Sequence, residues 1–112
     1  MPPRGFLQEP CLKTTVAIPH SNYPDRVREA AEEQLENLSA VGREVHSLTA
    51  TLTQQKNEHR VEIVAEANHH QTLVADGAGL AIEEALIMAA DRMRSQLRKL
   101  HDKVLDRRHG KA

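Results

Sequence analysis

Aromatic residues are nearly missing from this 112-residue chain: it has no tryptophan, and Phe6 and Tyr23 make up the whole 2%. A sheet that reads single-stranded bases by stacking needs several exposed rings, so these strands are not expected to work that way. The core must then come from Leu, Val, Ile, Met and Ala. Cysteine is scarce too. Cys11 stands alone, which rules out an internal disulfide and fits a reducing, cytoplasmic setting. No run approaches the ~18 consecutive apolar residues of a membrane span. The N-terminus lacks the charged-then-apolar layout of a secretory signal.

Recognisable catalytic chemistry is also thin. No Ser, His and acid constellation can be argued, and Cys11 lies in a stretch with no periodicity. Residues 76–79 (DGAG) hold two glycines but lack the length and lysine of a phosphate loop. There are seven histidines, yet no pair spaced by three residues on one helix. With no paired cysteines either, neither a metal nor another cofactor is expected. His69 and His70, adjacent in a turn, would point their rings apart if extended. The seven histidines are expected instead to add positive charge under acid conditions. The chain reads as a non-enzymatic binding domain.

What is present in quantity is charge, unevenly placed. From residue 92 onward eight basic residues (Arg92, Arg94, Arg98, Lys99, Lys103, Arg107, Arg108, Lys111) face only Asp102 and Asp106, an excess of six positive charges. The first 91 residues carry seven Lys/Arg against fourteen Asp/Glu, which brings the total back to −1. A helix dipole favours cations over its last turn only, and this run spans several. Such asymmetry points to a polyanionic partner, above all RNA.

Hydrophobic content of 39% with 28% charged residues describes one globular domain. Residues 1–12, with three prolines and a glycine, read as a mobile arm. The domain is expected over 13–108 and a short tail over 109–112. Residues 13–18 (KTTVAI) form a β-branched run ended by Pro19, the first strand. Pro24 and Asp25 open a helix whose apolar line is Val27, Ala30/Ala31, Leu35 and Leu38. Its other side carries Glu29, Glu32, Glu33 and Glu36. Alternation over 43–54 places Leu48, Ala50 and Leu52 on one side, and over 60–66 it places Val61, Ile63 and Ala65 inward. A short fourth strand is expected over 71–75, with residues 76–79 as the break before a final helix. That helix is predicted to about Arg107, with its end projecting, and its stripe is Ile82, Leu86, Ala89, Met93, Leu97, Leu100 and Val104. The class is α+β, in the order β-α-β-β-β-α: a four-stranded sheet with two helices packed on one face.

On these elements sits a family resemblance. Residues 32–38 (EEQLENL), the hairpin at 58–66 (EHRVEIVAE) and above all 91–103 (DRMRSQLRKLHDK) resemble the ribosome hibernation-promoting factors. These are also called ribosome-associated inhibitors or sigma-factor modulation proteins. Their last helix typically reads Asp-Lys-Leu-Glu-Arg-Gln-Leu-Lys-Lys-x-Lys-x-Lys, and Asp91, Arg92, Gln96, Leu97, Arg98, Lys99 and Lys103 match that frame. Arg28 matches an arginine of the first helix, and His20 falls where the family has His or Asn. The resemblance covers roughly 13–108. Gln34 and Asn37 replace two lysines of the first helix, Ile18 and Pro19 replace a Gly-Arg, and Arg94-Ser95 replace Glu-Arg. With no second domain in this chain, the resemblance is to the short forms of the family.

The resemblance implies binding to ribosomal RNA in the mRNA/tRNA channel of the small ribosomal subunit, which suppresses translation under stress. The expected contacts are Arg98, Lys99 and Lys103 first, then Arg92, Arg94, Arg107, Arg28 and His20. No membrane and no small-molecule substrate are expected as partners, and the chain should be a monomer or associate weakly with itself. Two alternatives stay open. A double-stranded RNA-binding domain has a similar helix-and-three-strand core. A protein–protein regulatory module that has lost ribosome binding would pair the acidic first helix with the basic last helix, head to tail between copies, or recruit a partner strand at a free sheet edge.

Overall fold

The computed structural model describes residues 13–19 and 22–110, with side chains through residue 103 apart from that of His69. The expectations for the arm at 1–12 and for His20, and those resting on the side chain of Arg107, lie outside the described residues. The elements run β1 (Lys13–Ala17), α1 (Asp25–Val41), β2 (Val45–Gln55), β3 (Glu58–Ala67), a short 3-10 turn (Asn68–His70), β4 (Gln71–Gly79) and α2 (Ile82–Gly110). The order is the expected β-α-β-β-β-α, and the four strands lie in one sheet in chain order.

Pairing follows from the length of each connection. β1 and β2 are joined through a whole helix and pair parallel, Thr14 opposite Leu48 and Val16 opposite Ala50. The tight turn between Gln55 and Glu58 makes β2 and β3 antiparallel, and the 3-10 turn does the same for β3 and β4. A bulge where Val45 passes to Ser47 takes up one residue and restores the alternation that buries Leu48, Ala50 and Leu52.

Both helices cover the same face. α1 buries Val27, Ala31, Leu35 and Leu38, and α2 buries Ile82, Ala85, Leu86, Ala89, Ala90, Met93 and Leu97. These meet Val61, Ile63, Ala65, Ala67 and Ala75 from the sheet, and no charged or polar side chain among the described residues is buried with them. α1 lies over β1 and β2, whereas α2 lies over β3 and β4. The small residues Ala85, Ala89 and Ala90 bring α2 close to the sheet.

One element departs from expectation. β4 runs to Gly79 rather than stopping at residue 75, so Asp76–Gly77–Ala78–Gly79 pairs with β3 instead of turning. Neither Gly77 nor Gly79 has positive φ, so these glycines are not there to turn the chain. At Gly77 the reason is closeness: an added Cβ would stand 2.5 Å from the Ala85 carbonyl oxygen and 2.7 Å from the Ala89 nitrogen. The glycine lets helix and strand backbones touch. Two other positions do have left-handed backbone without being glycine, Lys56 at the β2–β3 turn (φ 58°) and His70 (φ 60°). The final helix also runs past the expected end, to Gly110.

The far face of the sheet has no helix. β2 presents Ser47, Thr49, Thr51 and Thr53 there, and β3 presents Glu58, Arg60, Glu62, Val64 and Glu66. Val74 is 49% exposed on the same face. No described helix is long and apolar enough to cross a membrane.

Candidate nucleic-acid interface

The basic residues of α2 divide by what they touch. Arg92, Gln96, Lys99 and Lys103 recur at steps of four, three and four, so they share one stripe of the helix. That stripe runs beside the free edge of β4. The Arg92 guanidinium donates to the main-chain oxygen of Asp76 at 2.9 Å and lies 3.7 Å from its carboxylate. The Gln96 amide donates to the main-chain oxygen of Val74 at 2.8 Å. Arg60 completes the cluster from β3, 3.1 Å from the Asp76 carboxylate. Arg92 therefore has partners within the chain, while more than half of its side chain stays exposed.

Arg94 is also engaged. It lies 2.9 Å from Asp91, one turn back on the helix, and its side chain is 28% exposed. Arg28, the expected contact on α1, donates to the main-chain oxygen of Val16 at 3.0 Å and so ties α1 to β1. That leaves Arg98, Lys99 and Lys103. All three are exposed, and among the described residues none has an ion pair within the chain. Unpaired, exposed cations can release counterions on meeting phosphate.

Lys99 and Lys103 flank a groove of about 350 Å³ between α2 and the start of β4. Among the described residues Gln71, Thr72, Leu73, Gln96 and Leu100 form the rest of its lining, and none of these is acidic. The acidic side of the molecule lies elsewhere. Glu29, Glu32, Glu33 and Glu36 are exposed on α1, as are Glu58, Glu62 and Glu66 on the far face of the sheet.

Three contacts position α2 and its neighbours without any local signal in the sequence. His101 Nδ1 lies 2.9 Å from Glu44, whose side chain is only 14% exposed, and so the turn after α1 is fastened to α2 just before Lys103. The second oxygen of Glu44 is buried and has no hydrogen-bond partner among the described residues. At the opposite end Tyr23 places its hydroxyl 2.7 Å from His59 Nδ1 and 3.2 Å from the Thr53 carbonyl. Burial raises the Tyr23 pKa above its ordinary 10.0. The third contact is the Gln96 bond to β4, hidden in the sequence because glutamine on a helix face reads as ordinary surface.

Among the described residues no three His, Cys, Asp or Glu side chains gather as a metal-binding group.

Comparison with known proteins gives two kinds of likeness. The family model described as "Sigma 54 modulation protein / S30EA ribosomal protein" matches residues 15–105. Among solved structures, a ribosomal subunit interface protein from Coxiella burnetii superposes with TM-score 0.73 at 13% identity, over 81% of this chain and 99% of the other. The N-terminal domain of Thermus thermophilus Protein Y superposes with TM-score 0.67 at 16% identity, over 77% and 94%. At such identities these structures speak for the fold. No curated protein sequence matches.

Proposed function

Because the chain belongs to the Sigma 54 modulation protein / S30EA ribosomal protein family, we propose that it binds the ribosome and suppresses translation. The contact is with RNA of the small subunit, in the channel that mRNA and tRNA occupy, in the cytoplasm of stressed cells. The role is occupancy rather than catalysis. The observation that carries this reading is the division of cations on α2: Arg92 and Arg94 are held by acids of the chain itself, whereas Arg98, Lys99 and Lys103 are exposed and unpaired among the described residues. Arginine can fork onto phosphate and lysine acts as a point charge, so the trio suits a backbone of phosphates. The acidic outer face of α1 would be repelled by the same RNA, which favours an approach from the α2 side.

The test is cosedimentation of the chain with ribosomes and separated subunits over a salt series. Binding should appear with the small subunit and fade as salt rises. Changing Arg98, Lys99 and Lys103 to Glu removes at least three phosphate contacts. A slope of log affinity against log salt should therefore drop by roughly 2–3. Absence of binding by the unaltered chain at low salt refutes the reading. Self-association in sizing experiments under those conditions would favour the protein–protein alternative instead, with the acidic face of α1 as its surface.

A further inference from the structure

The stripe Arg92–Gln96–Lys99–Lys103 steps down α2 as Asp76, Val74 and Thr72 step down the edge of β4. Each step in the strand is two residues, so the main-chain groups of all three point to the same, unpaired edge. Arg92 caps the Asp76 carbonyl and Gln96 caps that of Val74. The series then stops. Among the described residues no side chain caps Thr72, and the groove opens there, walled by Leu73 and Leu100 and flanked by Lys99 and Lys103.

We infer that this groove seats one unpaired nucleotide of a single-stranded RNA segment, an inference that rests on the RNA-binding reading above. Thr72 offers a main-chain N–H and C=O side by side, which matches the adjacent donor and acceptor on the pairing edge of a base. Leu73 and Leu100, each packed against the core on one side, line the groove with apolar surface on which a base can rest; bases taken out of a stack are held by apolar as well as aromatic side chains. Lys99 and Lys103 stand one helical turn apart, placed for the phosphates on either side of that nucleotide. The groove, about 350 Å³, falls in the small-ligand range of roughly 300–1,000 Å³.

Two rival occupants fit poorly. An added peptide strand needs several consecutive edge groups, and the side chains over the carbonyls of Val74 and Asp76 break that run in the middle of β4. A duplex presents phosphates to the lysines but keeps its base-pairing edges to itself. The scarcity of aromatic rings excluded a sheet-wide stacking platform; one slot with aliphatic walls is a different device.

The experiment compares short oligouridylate with an A-form RNA duplex of equal charge, followed by NMR on the whole chain. Oligouridylate should shift the Thr72 amide and the Leu73 and Leu100 methyl groups, while the duplex shifts only signals near the lysines. Leu73→Trp, which fills the slot and keeps both charges, should weaken oligouridylate binding about tenfold, the scale of one lost base contact. Equal responses to single strand and duplex, with the methyl groups unmoved, overturn the slot. If ribosome cosedimentation persists in that case, the ribosome reading survives without it. If the single-strand response appears but no ribosomal particle is bound, the slot stands and the ribosome reading falls.

Discussion

Replacing Gly77 with alanine should displace α2 and destabilise the domain far more than the same change at Gly79. A Cβ at Gly77 would lie 2.5 Å from Ala85 O, 2.7 Å from Ala89 N and 2.9 Å from the Met88 Cβ. Comfortable separations for carbon atoms begin near ~3.5 Å. Two of the three obstacles are backbone, so no side-chain rotation relieves them and the helix must retreat by roughly 1 Å. A gap of that size forfeits a quarter to a half of each contact's dispersion energy. The affected contacts are those of Ala85, Ala89 and Met93, all fully buried. Overpacking of this kind costs about 1–3 kcal/mol. Loss of glycine's freedom in the unfolded chain works the other way by about 0.4–1 kcal/mol. The net of about 1–2 kcal/mol corresponds to a fall in Tm of roughly 5–15 °C for a domain of this size. At Gly79 the Cβ would meet the Glu84 carboxylate at 2.9 Å and the Glu84 Cβ at 3.1 Å. The carboxylate is exposed and can swing away, and the Cβ contact needs a shift of only a few tenths of an ångström, so Gly79→Ala should cost less than about 1 kcal/mol. Thermal melts of both variants, with amide spectra along α2, decide the matter. Equal melting temperatures for the two would refute the claim that Gly77 exists for close approach.

Lys56→Gly should stabilise the chain by up to about 1 kcal/mol, because left-handed backbone (φ 58°) costs a lysine roughly 1–2 kcal/mol and glycine's extra unfolded-state freedom returns part of that; urea titration reads it. Tyr23→Phe should cost about 0.5–1.5 kcal/mol through the lost bonds to His59 and Thr53. The same variant should flatten an alkaline trend. The Tyr23 pKa is raised in the fold above 10.0, so its stabilising share is whole below that value and is lost as pH rises through the folded-state pKa; denaturant midpoints on either side of it show the slope. A double-mutant cycle on Glu44→Ala and His101→Ala should give a coupling of about 0.5–1.5 kcal/mol, since the pair is 2.9 Å apart and half-shielded. Additive single changes would mean that the contact contributes nothing.

The elements that could be read from the sequence are those whose cause is local. The alternation of Leu48, Ala50 and Leu52 against Thr49, Thr51 and Thr53 fixes which side of β2 is buried, and the 3.6-residue recurrence of Val27, Ala31, Leu35 and Leu38 fixes α1. Residues 76–79 failed as a turn for the opposite reason. Aspartate and glycine favour turns when only neighbours count, but Gly77 is explained by a helix backbone that crosses the strand eight to twelve residues later in the chain. Tyr23 with His59 and Glu44 with His101 are separated by 36 and 57 residues. Periodicity carries no trace of such pairs.

For the candidate interface the sequence shows how many cations there are, and the fold shows which are already used. Arg94 with Asp91 is a pair at three-residue spacing and could have been discounted from the helix pattern alone. Arg92 could not, because its partner Asp76 comes from β4 and became available only once residues 76–79 were a strand. The same misread turn hid the capped edge: with β4 ending at residue 75, Arg92 has no carbonyl at Asp76 to hold, and the series that ends in an open Thr72 has no beginning. A charge count therefore does not separate the arginines that have acidic partners in the fold from the cations that have none among the described residues. What remains for an outside polyanion is narrower, placed at one end of one helix, and set beside a groove that only the strand's full length defines.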